Sequence, residues 1–194
     1  VIADVLVFLK NRLNAHFLAS LGAGLTDAGE DKVVFIDGDQ KPEATSFKLG
    51  AVSLLLFNIE RDVVGRQADS YVRVANDGSS RQVSPEITIN LHIMFVAKFK
   101  DYEQGLHYLS LVLSYFQEHF YFDQQNSPEL SQSINHLLLE FNPPTAIQEQ
   151  ELWGMLHCAY LPSLLYKVKA LTFANAGEPP SKSVSAVILK QEQL

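Results

Sequence analysis

The sequence is poor in cysteine, with Cys158 alone in 194 residues. One thiol closes no internal disulfide, so the fold has to rest on a packed core rather than on covalent staples. Leu156, Ala159, Tyr160 and Leu161 surround Cys158 in the chain, and it reads as a buried thiol. Basic residues are also scarce: 15 Lys and Arg against 22 Asp and Glu leave a net charge of −7. A sequence-independent grip on nucleic acid needs clustered cations. Lys98 with Lys100, and Lys167 with Lys169, are pairs rather than patches, so direct nucleic-acid binding is not expected. No apolar run approaches the ~20 residues of a membrane span. The apolar N-terminal stretch is interrupted by Asp4, Lys10, Asn11 and Arg12, unlike a signal peptide, and membrane insertion is not expected.

Chemical motifs are missing as well. The histidines His16, His92, His107, His119, His136 and His157 form no His-x-His or His-x-x-x-His pair. His157 and Cys158 are neighbours, and neighbours on a helix face about 100° apart, so they share no ligand site. Gly22-Ala23-Gly24 lacks the Lys-Ser/Thr of a phosphate loop, and Asp37-Gly38-Asp39 lacks the ordered oxygens of a calcium loop. No Gly-x-Ser-x-Gly elbow is present. Glu149 and Glu151 read as a solvated helix face. No catalytic, cofactor-binding or metal-binding residue is assigned, and the chain is not expected to be an enzyme.

What is present is a sizeable apolar fraction, 47%, arranged in clear periods. Residues 3–19 carry Val5, Leu6, Leu9, Leu13 and Phe17 at helical spacing. Gly22 and Gly24 read as the stop of that helix. Residues 33–36 are β-prone, and residues 51–60 form a run apolar on both faces, as in a central strand. Asn76-Asp77-Gly78 either turns a hairpin between residues 71–74 and 81–83 or belongs to a loop.

Residues 86–99 alternate strictly. Ile87, Ile89, Leu91, Ile93, Phe95, Ala97 and Phe99 take one face, with Thr88, Asn90, His92, Met94, Val96 and Lys98 opposite. The pattern predicts a strand with one buried face and one partly wet face. Asp101 caps a helix over 102–121, with a stripe of Tyr102, Leu106, Leu109, Leu113, Phe116 and Phe120, widened by Tyr108, Leu111, Val112 and Tyr115, which suggests burial against more than one surface. A short apolar segment at 129–141, a helix at 146–157, strands at 164–173 and 184–189, and a polar end follow. The predicted class is α+β: a mixed β-sheet of about four to six strands flanked by helices. The division expected is one domain over 1–173, then a loop, last strand and polar arm over 174–194.

Several segments together carry a resemblance. They are Asn58-Ile59-Glu60-Arg61, Ile89 to Ala97 running into Phe99-Lys100-Asp101-Tyr102-Glu103, Leu113 to Gln117, Asn126 to Leu130, Leu152-Trp153-Gly154, and Tyr160 to Val168. In order and spacing they resemble the N-terminal domain of cap proteins in extracellular contractile injection systems of the antifeeding-prophage and virulence-cassette type. The resemblance covers roughly residues 3–173. It implies a tail terminator: a homo-hexameric ring that ends growth of the inner tube and anchors the last layer of sheath. It also implies cytoplasmic assembly into a particle that is released or membrane-anchored. No catalytic role is carried over.

The candidate interface residues are Asn58, Glu60 and Arg61, which end an apolar strand, and Val184, Ala186, Ile188 and Lys190 in the last strand and arm. The alternatives left open are a baseplate or adaptor subunit of the same particle, or a small enzyme or ligand-binding domain.

Overall fold

The structure, a computed structural model, describes residues 1–21, 30–36, 45–62, 72–74, 80–82 and 87–173. The expected helix stop at Gly22 and Gly24, the Asp37-Gly38-Asp39 turn and everything beyond Phe173 lie outside the described residues.

Strand β5 (Ile87–Lys98) is the centre of the molecule. It pairs antiparallel with β2 (Ala51–Arg61) on one side and β8 (Ser163–Phe173) on the other. Outside these lie β1 (Val33–Phe35), parallel to β2, and β7 (His136–Phe141) with β6 (Tyr121–Asp123). The result is a six-stranded mixed sheet in the order β1-β2-β5-β8-β7-β6. Strands β3 (Val72–Val74) and β4 (Ser80–Gln82) pair separately as a hairpin, as one of the two sequence readings had it.

Helices α1 (Ile2–Leu21) and α2 (Tyr102–Glu118) cover one face of the sheet. In α1 the four-residue ladder Val5, Leu9, Leu13 and Phe17 is buried against this face, together with Phe8. The sheet supplies Val52, Leu54, Leu91, Ile93, Phe95, Tyr166 and Val168 to the same core. Each large apolar side chain so buried contributes about 1.5–3 kcal/mol. Helix α3 (Ala146–Met155) lies against part of the opposite face. There Leu152 and Trp153 meet Phe47, Leu55, Met94, Val96 and Leu165 in a second, smaller core.

Three expectations need correction. Strand β5 is not half wet: Met94 and Val96 are fully buried, because α3 covers that stretch of the second face. Of the widened stripe expected for α2, Tyr108, Leu109, Val112, Tyr115 and Phe116 are buried, with Gly105 beside them, whereas Tyr102, Leu106, Leu113 and Phe120 are exposed. Gly105 faces the end of β5, and a Cβ there would meet Phe99 at an ordinary van der Waals distance of 3.5 Å, so the helix packs there without depending on the glycine. Helix α2 also ends at Glu118, where the His119 N–H donates to Tyr115 O, and residues 121–123 are a strand paired with the distant His136 to Leu138. Cys158 is half-buried at the margin of the second core, and burial pushes its thiol up from the ordinary value.

Both outer strands are closed along their free edges by asparagine side chains. Asn14 of α1 donates to Val33 O and accepts from Val33 N. Asn126 donates to Tyr121 O and accepts from Asp123 N. Each carboxamide stands where a further strand would pair, which protects a short edge from unwanted strand addition.

Two outcomes follow from this packing. Leu91→Asp and Met94→Asp each bury an unpaired carboxylate, one in each core, and should each lower stability by several kcal/mol in urea denaturation. His92→Asp, where the second face opens to solvent, should be clearly milder. The second outcome concerns His16, packed between α1 and α2 against Tyr115 at a ring-centroid distance of 4.8 Å. Burial lowers its pKa from 6.5, and proximity to His119 adds to this while Glu118 opposes it. A base whose folded pKa is depressed binds fewer protons folded than unfolded, so stability falls as pH drops through the acid side of the ordinary imidazole value of 6.5. His16→Gln should flatten the melting temperature against pH in that window.

Candidate functional site

The second face of the sheet changes character beyond α3. Two register shifts mark the boundary. On β2, Leu56 faces Ile93 and Asn58 faces His92, so Phe57 is an extra residue. Between β5 and β8, Ile89 faces Leu171 and Leu91 faces Val168, so β8 has the extra residue opposite Asn90. Bulges of this kind re-aim side chains and cluster near functional surfaces. Phe57 still packs on the second core and meets His92 edge-on at 5.8 Å.

Past the bulges the side chains are polar across four strands. Glu60 on β2 accepts through one oxygen, Oε2, from His92 Nε2 at 3.0 Å and from Lys167 Nζ at 2.6 Å. It therefore reaches over β5 to a residue on β8. Lys167 is the register partner of both His92 and Glu140, and Lys169 pairs with Glu140 on β7. The Lys167 ammonium, with His92 second, holds the Glu60 carboxyl below the usual carboxylate range, so it is ionised near neutral pH. Near neutral pH the row therefore presents an ionised carboxylate held between an ammonium and an imidazole.

The expected interface residues divide as follows. Asn58, Glu60 and Arg61 are all exposed at the end of β2. Glu60 shares its face with Asn90 and His92, whereas Arg61 is the register partner of Ile89 and belongs to the face that carries α1 and α2. Val184, Ala186, Ile188 and Lys190 lie outside the described residues. Sequence reasoning did not assign Asn90, His92, Glu140, Lys167 or Lys169 to this surface. The polar positions of β5 and the alternation of Lys167 with Lys169 were the available signal, but strand register is needed to bring them to Glu60.

A second polar cluster braces α1. Arg12 donates to Ser127 Oγ at 2.6 Å and stacks over Phe8 and Phe122 at 5.5 and 5.9 Å. Its Nε lies 2.8 Å from a Glu129 oxygen but is not directed at it, so that contact is an ion pair and not a hydrogen bond. Gln124 donates to the carbonyls of Leu130, Ser131 and Ile134 and fixes the same loop. Among the described residues no group of three or more His, Cys, Asp or Glu is placed to hold a metal, and no helix is long and apolar enough to cross a membrane.

Two of the solved structures that share this fold are informative. One is the cryo-EM structure of the anti-feeding prophage cap, the AFP tube-terminating cap, at 20% identity and a TM-score of 0.50 over 94% of this chain. The other is the sheath/tube terminator of an extracellular contractile injection system, PVC, in the extended state, at 20% identity and a TM-score of 0.56 over the whole of this chain. The chain spans 61% and 64% of the lengths of those two proteins. No curated protein sequence matches it. The family profile described as the Pvc16 N-terminal domain matches residues 4–186, almost the entire chain. The helices, the mixed sheet and the sequence of this protein thus agree, and it belongs to the Pvc16 N-terminal domain family.

Proposed function

We propose that this protein is a tail terminator of a contractile injection system, forming a homo-hexameric ring that ends inner-tube growth and holds the last sheath layer. The observation that carries this reading is the family match over residues 4–186, joined to a fold shared with a tube-terminating cap and a sheath/tube terminator. The physical requirements are modest. A tube that grows from one end presents the same binding surface after every added layer. Growth stops when a protein covers that surface without recreating it. Such a part needs a rigid body, one surface for the tube, contacts to its own copies and no chemistry. The two cores on either side of β5 supply the rigid body, and the polar row at Glu60 supplies a surface for recognition.

The arm remains part of this proposal. The β-prone run 184–189, with Val184, Ala186 and Ile188, and the polar Lys190 that follows, suits pairing with unpaired strand ends of the sheath. Its separate role defines the division proposed here: residues 1–173 form the terminator domain, and 174–194 reach the sheath.

Deleting the gene should leave tube and sheath subunits intact and give particles of uncontrolled length, measured by electron microscopy. Normal lengths with stable distal ends in the deletion strain would refute the terminator role. Truncation after Phe173 should loosen sheath anchoring while rings still form. Loss of rings with the arm would instead place the copy-to-copy contact in residues 174–194.

A further inference from the structure

Helix α1 touches both outermost strands of the sheet. On β1 it reaches Val33, whose C=O accepts from the Asn14 carboxamide at 3.0 Å and whose N–H donates to it at 2.8 Å. Lys10 adds an ion pair to Asp31 at 2.8 Å, and its ammonium lies 5.9 Å from the centre of the Phe35 ring. On β6 the ring of Phe8 meets Phe122 edge-on at 5.1 Å, and the Arg12 guanidinium packs over the same ring. Arg12 Nη2 also donates to Ser127 Oγ at 2.6 Å and to Asn126 O at 3.4 Å. Asn126 is the residue whose carboxamide closes the free edge of β6.

These contacts sort by position on the helix. At about 100° per residue, Phe8 and Arg12 share one flank, and Lys10 and Asn14 stand about 200° further round. The buried ladder Val5, Leu9, Leu13 and Phe17 lies between the two flanks and faces the core. The two sets interleave along the helix, so both edges are met at the same level. Distance makes this informative. Neighbouring strands lie about 4.8 Å apart, which would put the first and sixth strands of a flat sheet about 24 Å apart. A helix with its side chains is about 10–12 Å wide. One helix meets both β1 and β6 because the sheet curls until its edges face each other.

We infer that α1 is a seam: it lies between β1 and β6 in place of a further strand and shuts both edges of the sheet to strand addition by a second copy of this chain. Asn14 acts directly on the β1 side. Arg12 is the positioning residue on the β6 side, because it fixes the turn that carries Asn126. A sheet with two open edges joins edge to edge with no closed end point. The seam removes that route and leaves association between copies to other surfaces. It does so whether or not the proposed ring forms.

The test uses the full-length protein in solution. Amide hydrogen exchange at Asp123 and at Val33 reads the two edges separately. Arg12→Ala removes neither partner of the Asp123–Asn126 hydrogen bond, yet it should speed exchange at Asp123 about tenfold or more while Val33 and the amides of β5 are unchanged. Asn14→Ala should do the same at Val33 with Asp123 unchanged. Alanine favours the helix, so α1 is retained in both variants. The double variant should sediment as open-ended assemblies that grow with concentration and carry the infrared signature of intermolecular strands.

Wild-type exchange at Asp123 in Arg12→Ala would overturn the seam, as would equal acceleration at both edges and in β5, which reports general loosening. A folded double variant that sediments as the wild type does, or assemblies without intermolecular strands, would overturn the guarding role. If the double variant does not fold, Asn126→Ala decides in its place, since it opens the β6 edge without touching α1. It should form a larger species with intermolecular strands, and wild-type sedimentation would refute the inference.

Discussion

Strand β5 is paired along most of its length on both sides and is packed on both faces. The rest of the structure is arranged to satisfy that demand. Leu91, Ile93, Phe95 and Ala97 require a cover on one face, which α1 and α2 provide. Met94 and Val96 require another, which α3 provides with Leu152 and Trp153. The α3 cover does not extend to the far end of the strand, where Asn90 and His92 replace apolar residues on the second face. The change from cover to open surface falls where both flanking ladders shift register.

That boundary links packing to function. Within the doubly covered region the sheet is a fixed platform, and a register slip would expose one core or the other. Beyond it, Glu60, His92, Lys167, Lys169 and Glu140 form an ordered row of charges and donors held by four adjacent strands. Exposed ion pairs contribute little to stability, typically about 0–1 kcal/mol each. Their value here is in holding side chains in defined positions on a rigid surface. The asparagine caps on β1 and β6 have a complementary effect: they occupy backbone groups along the free edges and restrain strand pairing there.

Much of the fold was legible in the sequence because its signals are local. Strict alternation located β5, a run apolar on both faces located β2, and the four-residue ladder from Val5 to Phe17 located α1. Asp101 marked the start of α2, where it accepts from the Glu103 N–H. The failures are equally physical. β6 has three residues, too few for a periodic signal, and exists through its pairing with residues far along the chain. The inward face of α2 was located only in part, because its apolar residues spread over a wide arc and only packing against the sheet and α1 selects Tyr108, Leu109, Val112, Tyr115 and Phe116 from it. Thr145 and Gln148 form a reciprocal cap that starts α3, another local signal that went unassigned.

By itself the sequence determined the α+β class, the central strands and the exposed polar end of β2, since these follow from composition and from periods of two and 3.6 residues. Its order of motifs also carried the resemblance to a terminator domain. Only the tertiary structure decided that β5 is buried on both faces, because the cover over Met94 and Val96 comes from a helix more than fifty residues later in the chain. Only the register of β2, β5, β8 and β7 brought Glu60 to His92 and Lys167 and set Asn90 beside it. Alternation tells which residues share a face within one strand, but not which strand lies next to it, and the surface at Glu60 is built from that adjacency.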